Sequence, residues 1–309
     1  MITTVTLNAS IDKAYHINGS IEPGHVIRVL SCRNTAGGKG LNVARVLQLC
    51  GETVVATGLV GGHNGAYLEE LLKQDKIKNR FVYIKGETRC CINILDEKQQ
   101  STELLEPGTQ ISEGELKEFI YQFRENIADS SIVILSGSVP LGIDHSIYRT
   151  LVNLAKQEGK MTILDTSGDL LKEGIKAVPD MIKPNQEELE MLIGRELHSI
   201  EEIREAALML HHQGIKFVVV SLGKEGALMA CQDGSFLAVP PNLNAVNTVG
   251  CGDSMVAAFA AACARNDKPQ ERLRFAVAVS AANAISEQTG YFETEILEKI
   301  AHNVSIQTI

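Results

Sequence analysis

The sequence is short of several things, and each shortage removes a class of function. Positive charge is not in excess: 29 lysines and arginines against 38 aspartates and glutamates give a formal charge of −9. A nucleic-acid surface needs a basic stripe to neutralise phosphates, and none is visible. A small anionic substrate stays open, because a few local cations can dominate a pocket. No apolar run approaches the roughly 20 residues of a membrane span; the longest, Met255 to Ala264, falls far short. Seven cysteines, with Cys90 and Cys91 adjacent, follow no metal-ligand or disulfide spacing, which points to a reduced setting. Met1 to Ser10 has neither a basic n-region nor an apolar h-region, so no signal peptide and a cytoplasmic location are expected. Internal repeats, low-complexity tracts and disordered linkers are also missing.

What is present reads as an alternating α/β chain. Ile2–Leu7, Thr53–Val60, Ser131–Ser136, Met161–Asp165 and Lys216–Leu222 are short runs suited to buried strands. Between them lie amphipathic stretches at Leu41–Cys50, Ala66–Gln74, Ser112–Ala128, Ile147–Gln157 and Ser199–Gln213. Two of these open with capping boxes, Ser112-x-x-Glu115 and Ser199-x-x-Glu202. Such alternation predicts a doubly wound, mostly parallel sheet with helices on both faces, one domain over residues 1–309. Two segments break the rhythm, about 10–33 and 81–106, with extended patterns and no helix between. "FVYIKGETRCCINIL" reads as two strands joined by a turn around Lys85-Gly86-Glu87. A small separate β-sheet acting as a lid is expected from these pieces, with its uncovered face suited to a homodimer partner.

The chemistry-bearing stretches come next. "TAGGKGLN" (Thr35–Asn42) is glycine-rich and carries a lysine, yet it is not a P-loop: Gly38-Lys39 is followed by Gly40 rather than Ser or Thr, and Arg33 stands where the first glycine belongs. "NTVGCGDSMVAAF" (Asn247–Phe259) runs a glycine-bracketed turn, Gly250-Cys251-Gly252, into a helix of small residues. Helix N-termini offer unpaired N–H groups and positive partial charge to an anion. Asp253 in that first turn fits either a reactive carboxylate or a plain helix cap. "IKPNQEELEML" sets Lys183, Asn185 and Glu188 at a strand-to-helix junction. N-x-x-E there is either another capping box or a carboxylate facing water-coordinated Mg²⁺. "VVVSLGKEGAL" places Ser221, Gly223 and Gly226 after an apolar strand, where they fit a hairpin turn or a ligand-facing loop. In open α/β sheets ligands bind beyond the carboxyl ends of strands, where these pieces fall.

Together the closing G-x-G-D, the upstream N-x-x-E and the early G-G-K-G-x-N resemble the ribokinase/PfkB family of sugar kinases, nearly end to end and in the family's order. The segments "TVTLNASID", "AGGKGLNVARVL", "GETRCCINIL", "SGSVP" and "TVGCGDSM" are most similar to its ketohexose-phosphate branch, the tagatose-6-phosphate kinases and 1-phosphofructokinases. The resemblance implies a ribokinase-like fold with a β lid, ATP and Mg²⁺ as cofactors, and a phosphorylated ketohexose as acceptor. It also implies that the early glycine-rich loop faces the sugar: Gly37 and Gly38 allow close approach and Asn42 bonds a hydroxyl. Asp12, in "NASID", is implied as a sugar-hydroxyl acceptor, although an Asx turn is the plain alternative. Lys39 and Arg89 are implied as cations for the phosphate already on the substrate, with Arg28 of the lid a third candidate or a solvated residue. Ser138, in "SGSVP", is placed with the substrate. Glu103 stands where some related phosphofructokinases carry a basic residue, and Cys251 where alanine or serine is usual.

The implied mechanism has Asp253 as general base, the Gly250, Cys251 and Gly252 amides on the transferring phosphoryl group, and Glu188 toward Mg²⁺. Lys183, Asn185, Ser221, Gly223, Gly226, Thr248 and Asn283 are implied around the nucleotide; buried helix packing is the alternative for Asn283. Cys251, at a helix N-terminus, is expected to have a lowered pKa and unusual reactivity. Features of both branches are present, and the expected reaction is tagatose 6-phosphate to tagatose 1,6-bisphosphate, with fructose 1-phosphate to fructose 1,6-bisphosphate as the alternative. Lys39 and Arg89 argue against an unphosphorylated acceptor. The intact Asp253 and G-x-G turn argue against an inactive sugar-phosphate sensor.

Overall fold

The computed structural model describes residues 1–98 and 100–309. The chain begins inside a ten-stranded sheet. β1 (Ile2–Thr6) is buried at every position and pairs in parallel on both sides, which its run of β-branched residues suits. The chain then leaves the sheet for an antiparallel pair, β2 (Ser10–Ile17) and β3 (Val29–Gly37). α1 (Lys39–Leu49) brings it back to β4 (Val54–Gly61), beside β1. α2 (Gly62–Gln74) leads to β5 (Lys78–Ile84), the edge strand next to β4. A second excursion makes β6 (Arg89–Leu95) and β7 (Ser101–Leu105).

From there the alternation is regular. α3 (Glu113–Ile127), β8 (Ile132–Ser136), α4 (Ile147–Gln157) and β9 (Met161–Asp165) are followed by α5 (Gly168–Gly174) and β10 (Met181–Ile182). Then come α6 (Gln186–Ile193), α7 (Ile200–His212) and β11 (Phe217–Ser221). β12 (Ala227–Cys231) and β13 (Gly234–Val239) turn antiparallel. α8 (Cys251–Ala264), α9 (Pro269–Ala284) and α10 (Thr294–Asn303) precede β14 (Ser305–Thr308) at the edge.

The sheet order β14-β13-β12-β11-β10-β9-β8-β1-β4-β5 is mostly parallel and covered on both faces, as expected. Alternation decides which face each residue serves: Ile132 and Ile134 of β8 belong to the core layer that also holds α1, α8 and α9, whereas Val133 and Leu135 belong to the layer that holds α3, α4 and α7. From β1 the chain first winds toward β5 and later the other way, from β8 to β11. The crevice beyond β1 and β8 is therefore a topological switch point.

The small sheet has the order β3-β2-β6-β7. Its expected boundary at residue 81 is corrected. Phe81–Ile84 belongs to β5 in the large sheet, and only the part from Arg89 onward joins β2. The reason lies in Thr88, whose N–H donates to the Gly61 carbonyl at 2.9 Å while its hydroxyl accepts from the Gly61 N–H at 2.9 Å. The chain is pinned to the end of β4 there and crosses between sheets instead of folding as a hairpin. Glu87, in the same crossing, accepts from the Asn64 N–H in the first turn of α2. That long-range cap explains why α2 starts at Gly62 rather than at Ala66. Of the capping boxes, that of Ser112 and Glu115 is complete. At Ser199 only half forms, since Glu202 accepts from the His198 N–H instead.

Candidate active site

A cavity of about 800 Å³ opens at the carboxyl ends of β1, β8, β9 and β10, between the large and small sheets. Its floor is set by glycine. A Cβ at Gly37 would lie 2.0 Å from the Asp12 carboxyl group, and Gly38 has φ 105° with Thr6 beneath it. Only glycine lets this turn pass over β1 and deliver Lys39 and Asn42 on the first turns of α1.

Asp253, on the first turn of α8, is buried, and its Oδ2 accepts from Asn42 Nδ2 at 2.9 Å. Burial pushes its carboxyl up to about 6; Lys39, Asn42 and Lys183 pull against that, and the negative charge of Asp165 adds to it. Asp165, at the end of β9, is 1% exposed. Its oxygens lie 3.3 Å from Lys183 Nζ and 3.9 Å from Lys39 Nζ. Among the described residues neither oxygen has a well-aligned hydrogen-bond donor, so the pairing with Lys183 is a close ion pair rather than a directed bond. Burial would raise the Asp165 carboxyl, yet Lys183 and Lys39 together outweigh it and hold it below the usual range. Asp165 in turn raises the Lys39 ammonium, with burial opposing and Asp253 and Glu188 adding. Two carboxylates thus differ in kind: one is locked as an anion, and the other titrates near neutrality, where a general base is useful.

The turn before α8 has Gly250 at φ 77°. The Gly252 and Asp253 N–H groups have no acceptor among the described residues, while the Cys251 N–H donates to the Thr248 carbonyl at 3.3 Å. A Cβ at Gly252 would stand 3.1 Å from Lys183 Nζ, so glycine there keeps that ammonium against the turn. Free amides and a buried cation make one anion-binding corner.

At another part of the wall the Arg89 guanidinium donates to the Asn8 carbonyl, from Nε at 3.2 Å and Nη2 at 3.0 Å, and from Nη1 to the Glu106 carbonyl at 2.7 Å. Asn8 Nδ2 donates to Ser138 Oγ at 3.2 Å, which joins Ser138 to the same neighbourhood. Asp12 Oδ1 accepts from Ser10 Oγ at 2.6 Å. Burial raises its carboxyl; Ser10, Arg89 and Arg45 oppose, and Glu103, which lines the cavity, adds.

Asp12, Gly38, Lys39, Asn42, Arg89 and Ser138 therefore line one cavity with Lys183, Gly250, Gly252 and Asp253. Several expected roles change. Lys39 and Arg89 have different partners within it: Lys39 faces the Asp165–Asp253 group, drawn there by opposite charge, and Arg89 the Asn8 and Glu106 carbonyls. Asn42 has both its polar atoms engaged, with Asp253 and with Arg45, rather than awaiting a hydroxyl. Arg28 is exposed and does not line the cavity. Asn283 is fully buried and fully bonded: Nδ2 donates to the Val249 carbonyl, and Oδ1 accepts from the Gly290 and Tyr291 N–H groups. It braces the turn and does not face the cavity. Cys251 also overturns its expectation, because its thiol packs toward Asn283 and burial pushes its pKa up.

Asn185 and Glu188 form a complete capping box, so the plain reading of N-x-x-E is realised. The box engages Glu188 Oε2 and leaves Oε1 without a partner among the described residues. Ser221 lies beside Asn185, its N–H donating to the Pro184 carbonyl at 3.0 Å. Gly223 and Gly226 form the β11–β12 hairpin turn, and a Cβ at Gly226 would meet the Ala238 carbonyl at 1.9 Å. With Thr248, which is exposed, these residues lie outside the cavity lining. Asp165, Asn8, Ser10 and Arg45 went unnoticed in the sequence. Asp165 alone carried a signal, an acidic residue closing an apolar strand at the sheet's ligand-binding edge.

A family model for pfkB family carbohydrate kinases matches residues 5–295. A tagatose-6-phosphate kinase of Staphylococcus epidermidis is 39% identical over 309 residues, covering 99% of each chain. Among solved structures, phosphofructokinase-2 from Escherichia coli, in complex with potassium, superposes with a TM-score of 0.92 at 32% identity, covering 97% of this chain and 98% of that one. A Thermotoga maritima protein described as a possible 1-phosphofructokinase gives a TM-score of 0.90 at 25% identity, covering 100% and 99%.

Proposed function

Because the chain belongs to the pfkB family of carbohydrate kinases, we propose that it transfers the γ-phosphoryl group of ATP to tagatose 6-phosphate, giving tagatose 1,6-bisphosphate. One observation carries the choice of a phosphorylated acceptor. A single cavity holds both the buried Asp253 and the Arg89 guanidinium, so an acceptor can present a free hydroxyl to the first and its resident phosphate to the second. The full-length likeness to a tagatose-6-phosphate kinase supports tagatose 6-phosphate as the sugar.

In this reading Asp253 takes the hydroxyl proton as the new bond to phosphorus forms. The free amides of the 250–253 turn and the Lys183 ammonium hold charge on the transferring group. Lys39 serves the transfer end with them, and Asp12 accepts from a sugar hydroxyl. Asn185, Ser221, Gly223, Gly226 and Thr248 flank the nucleotide. The hard carboxylate oxygen Glu188 Oε1 would hold a Mg²⁺ through water, and an ion there would supply positive charge to the nucleotide phosphates.

The small sheet acts as the lid, and closure excludes water that would compete for the phosphoryl group. Arg33 Nη2 already bridges from β3 to Gln288 Oε1, on the loop after α9, at 2.8 Å. Leu30 (71% exposed) and Leu104 (55%) give the sheet an apolar outer surface, which a second copy of the chain covers in a homodimer. Sedimentation tests this: Leu30→Glu with Leu104→Glu is expected to sediment as a monomer, and a wild-type monomer at micromolar concentration refutes the dimer.

The function is tested by ATP-coupled turnover on tagatose 6-phosphate, fructose 6-phosphate, fructose 1-phosphate and the free ketohexoses. The highest kcat/KM is expected with tagatose 6-phosphate. A preference for fructose 1-phosphate establishes the second reading, which the likeness to the Thermotoga maritima protein favours. A free sugar as best substrate removes Arg89 from the site, and silence on every sugar makes the chain a sensor. Arg89→Ala is expected to raise KM for the sugar phosphate about 10- to 100-fold, as a charge-assisted phosphate contact of about 1.5–3 kcal/mol implies. KM for ATP should stay within about twofold in that estimate; loss of ATP binding instead assigns Arg89 to the wrong phosphate.

A further inference from the structure

Arg45 sits on α1 three residues after Asn42, so the two side chains share a helix face. Its side chain is only 13% exposed, and each nitrogen of the guanidinium is used. Nε donates to Asp75 Oδ2 at 3.0 Å, Nη2 to the Ala36 carbonyl at 2.8 Å, and Nη1 to Asn42 Oδ1 at 3.2 Å. Asn42 Nδ2 in turn donates to Asp253 Oδ2 at 2.9 Å. Gly290 closes over this chain of contacts, since a Cβ there would lie 3.3 Å from Nη1 and 3.4 Å from the Asn42 carbonyl.

The orientation of the Asn42 amide follows from its neighbours. A guanidinium can only donate and a carboxylate can only accept, so the amide oxygen must face Arg45 and the amide nitrogen must face Asp253. A flipped amide would oppose oxygen to carboxylate and NH₂ to guanidinium. The two orientations have nearly the same shape, so packing alone does not choose between them. Arg45 does.

We propose that Arg45 is a positioning residue for phosphoryl transfer: anchored by Asp75 and the Ala36 carbonyl, it sets the Asn42 amide, which orients the Asp253 carboxylate. The inference rests on Asp253 being the general base. The device joins the end of β3, the first turns of α1 and the C-terminal end of α2 to a base carried on α8. The charged groups around Asp253 are Lys39 of α1, Asp165 of β9 and Lys183 after β10; those around Arg45 are Asp75 beyond α2 and Asp12 of β2. Removing Arg45 leaves the Asp253 set in place but takes the anchor off the amide oxygen, so that Asn42 is held from one end only and is less well aligned to donate to Asp253. The carboxylate then loses a donor that favours its ionised form.

The test is Arg45→Met in the full-length enzyme, followed by kcat, both KM values and the pH dependence of kcat/KM for the sugar phosphate. The expected result is a roughly 10- to 100-fold lower kcat with KM values within about threefold, and an acid limb moved upward by at least about half a pH unit. A role confined to holding the fold would lower the melting temperature and leave the acid limb where it was, and that outcome overturns the proposal. Should Arg45→Met not fold, Arg45→Lys keeps the charge and the helix but cannot reach Asn42 and Ala36 together. It is expected to lose kcat several-fold at unchanged KM, and wild-type kcat in that variant is equally fatal. The Asp253→Asn background separates the two ideas: there Arg45→Met should leave the residual rate unchanged, because its effect passes through the base. An active Asp253→Asn enzyme defeats the base assignment itself; an inactive one beside fully active Arg45 variants defeats only the positioning role.

Discussion

Asp253→Asn is expected to lower kcat at least about 100-fold, the small end of the range for losing a general base, with KM for both substrates nearly unchanged. Asparagine keeps the shape and can still accept from Asn42, so the change isolates proton acceptance. Near-normal turnover would leave Asp253 a helix cap and remove the mechanism. The same group sets the pH dependence. With its pKa raised to about 6, kcat/KM should fall as pH drops through that value. The stability effect has the opposite sign. The folded pKa lies above the ordinary value of 3.8, so the native state binds more protons than the unfolded chain between about 4 and 6. Stability therefore rises as pH falls through this window, as far as this group is concerned, and ionised Asp253 is a cost at neutral pH. Asp253→Asn should accordingly melt no lower than wild type at pH 7.5, which calorimetry on the inactive variant can check. A lower melting temperature would mean that the carboxylate is a net stabilising partner of Lys39 and Lys183.

Asp165→Ala should have the largest effect on stability. The carboxylate and Lys183 are both nearly inaccessible, at 1% and 6% of their side-chain surface. Removing one partner of such a pair leaves an uncompensated buried charge and costs about 3–5 kcal/mol. Lys39, at 43% exposure, can turn to water and adds little to that figure. The loss should appear as a lower denaturation midpoint, and activity should fall with it because Lys183 no longer rests against the Gly252 turn. Asp165→Asn, which keeps the volume, should recover part of the stability and little of the activity. Wild-type stability in Asp165→Ala would mean that Lys183 is not held by this pair. The pH sign here is that of a depressed carboxyl: its stabilisation is present above the unfolded value near 3.8 and is lost as pH falls below it.

Much of this protein was settled locally. β1, β8, β9 and β11 fall within a residue or so of where their apolar runs place them, and α3, α4 and α7 do the same. Strand and helix periods depend on burial of near neighbours, which a window of a dozen residues records. The Gly250–Asp253 turn was legible for the same reason, since glycine spacing and a following helix are consecutive facts. Pairings across the chain were not legible. Asn42 and Asp253 are 211 positions apart, and a polar residue on a helix gives no hint of which distant group it will meet. Lys39 looked available for a substrate phosphate until β9 brought Asp165 beside it. Cys251 looked like a reactive thiol until α9 covered it. Phe81–Ile84 alternates as any half-buried strand does, and only its parallel ladder with β4, closed by the bonds between Thr88 and Gly61, assigned it to the large sheet. The sequence by itself determined which segments become strands, helices and glycine turns, because those depend on local sterics and periodic burial. The tertiary structure alone decided which charges face one another in the site, because a charge is neutralised or exposed by whatever the rest of the fold brings within a few ångströms of it.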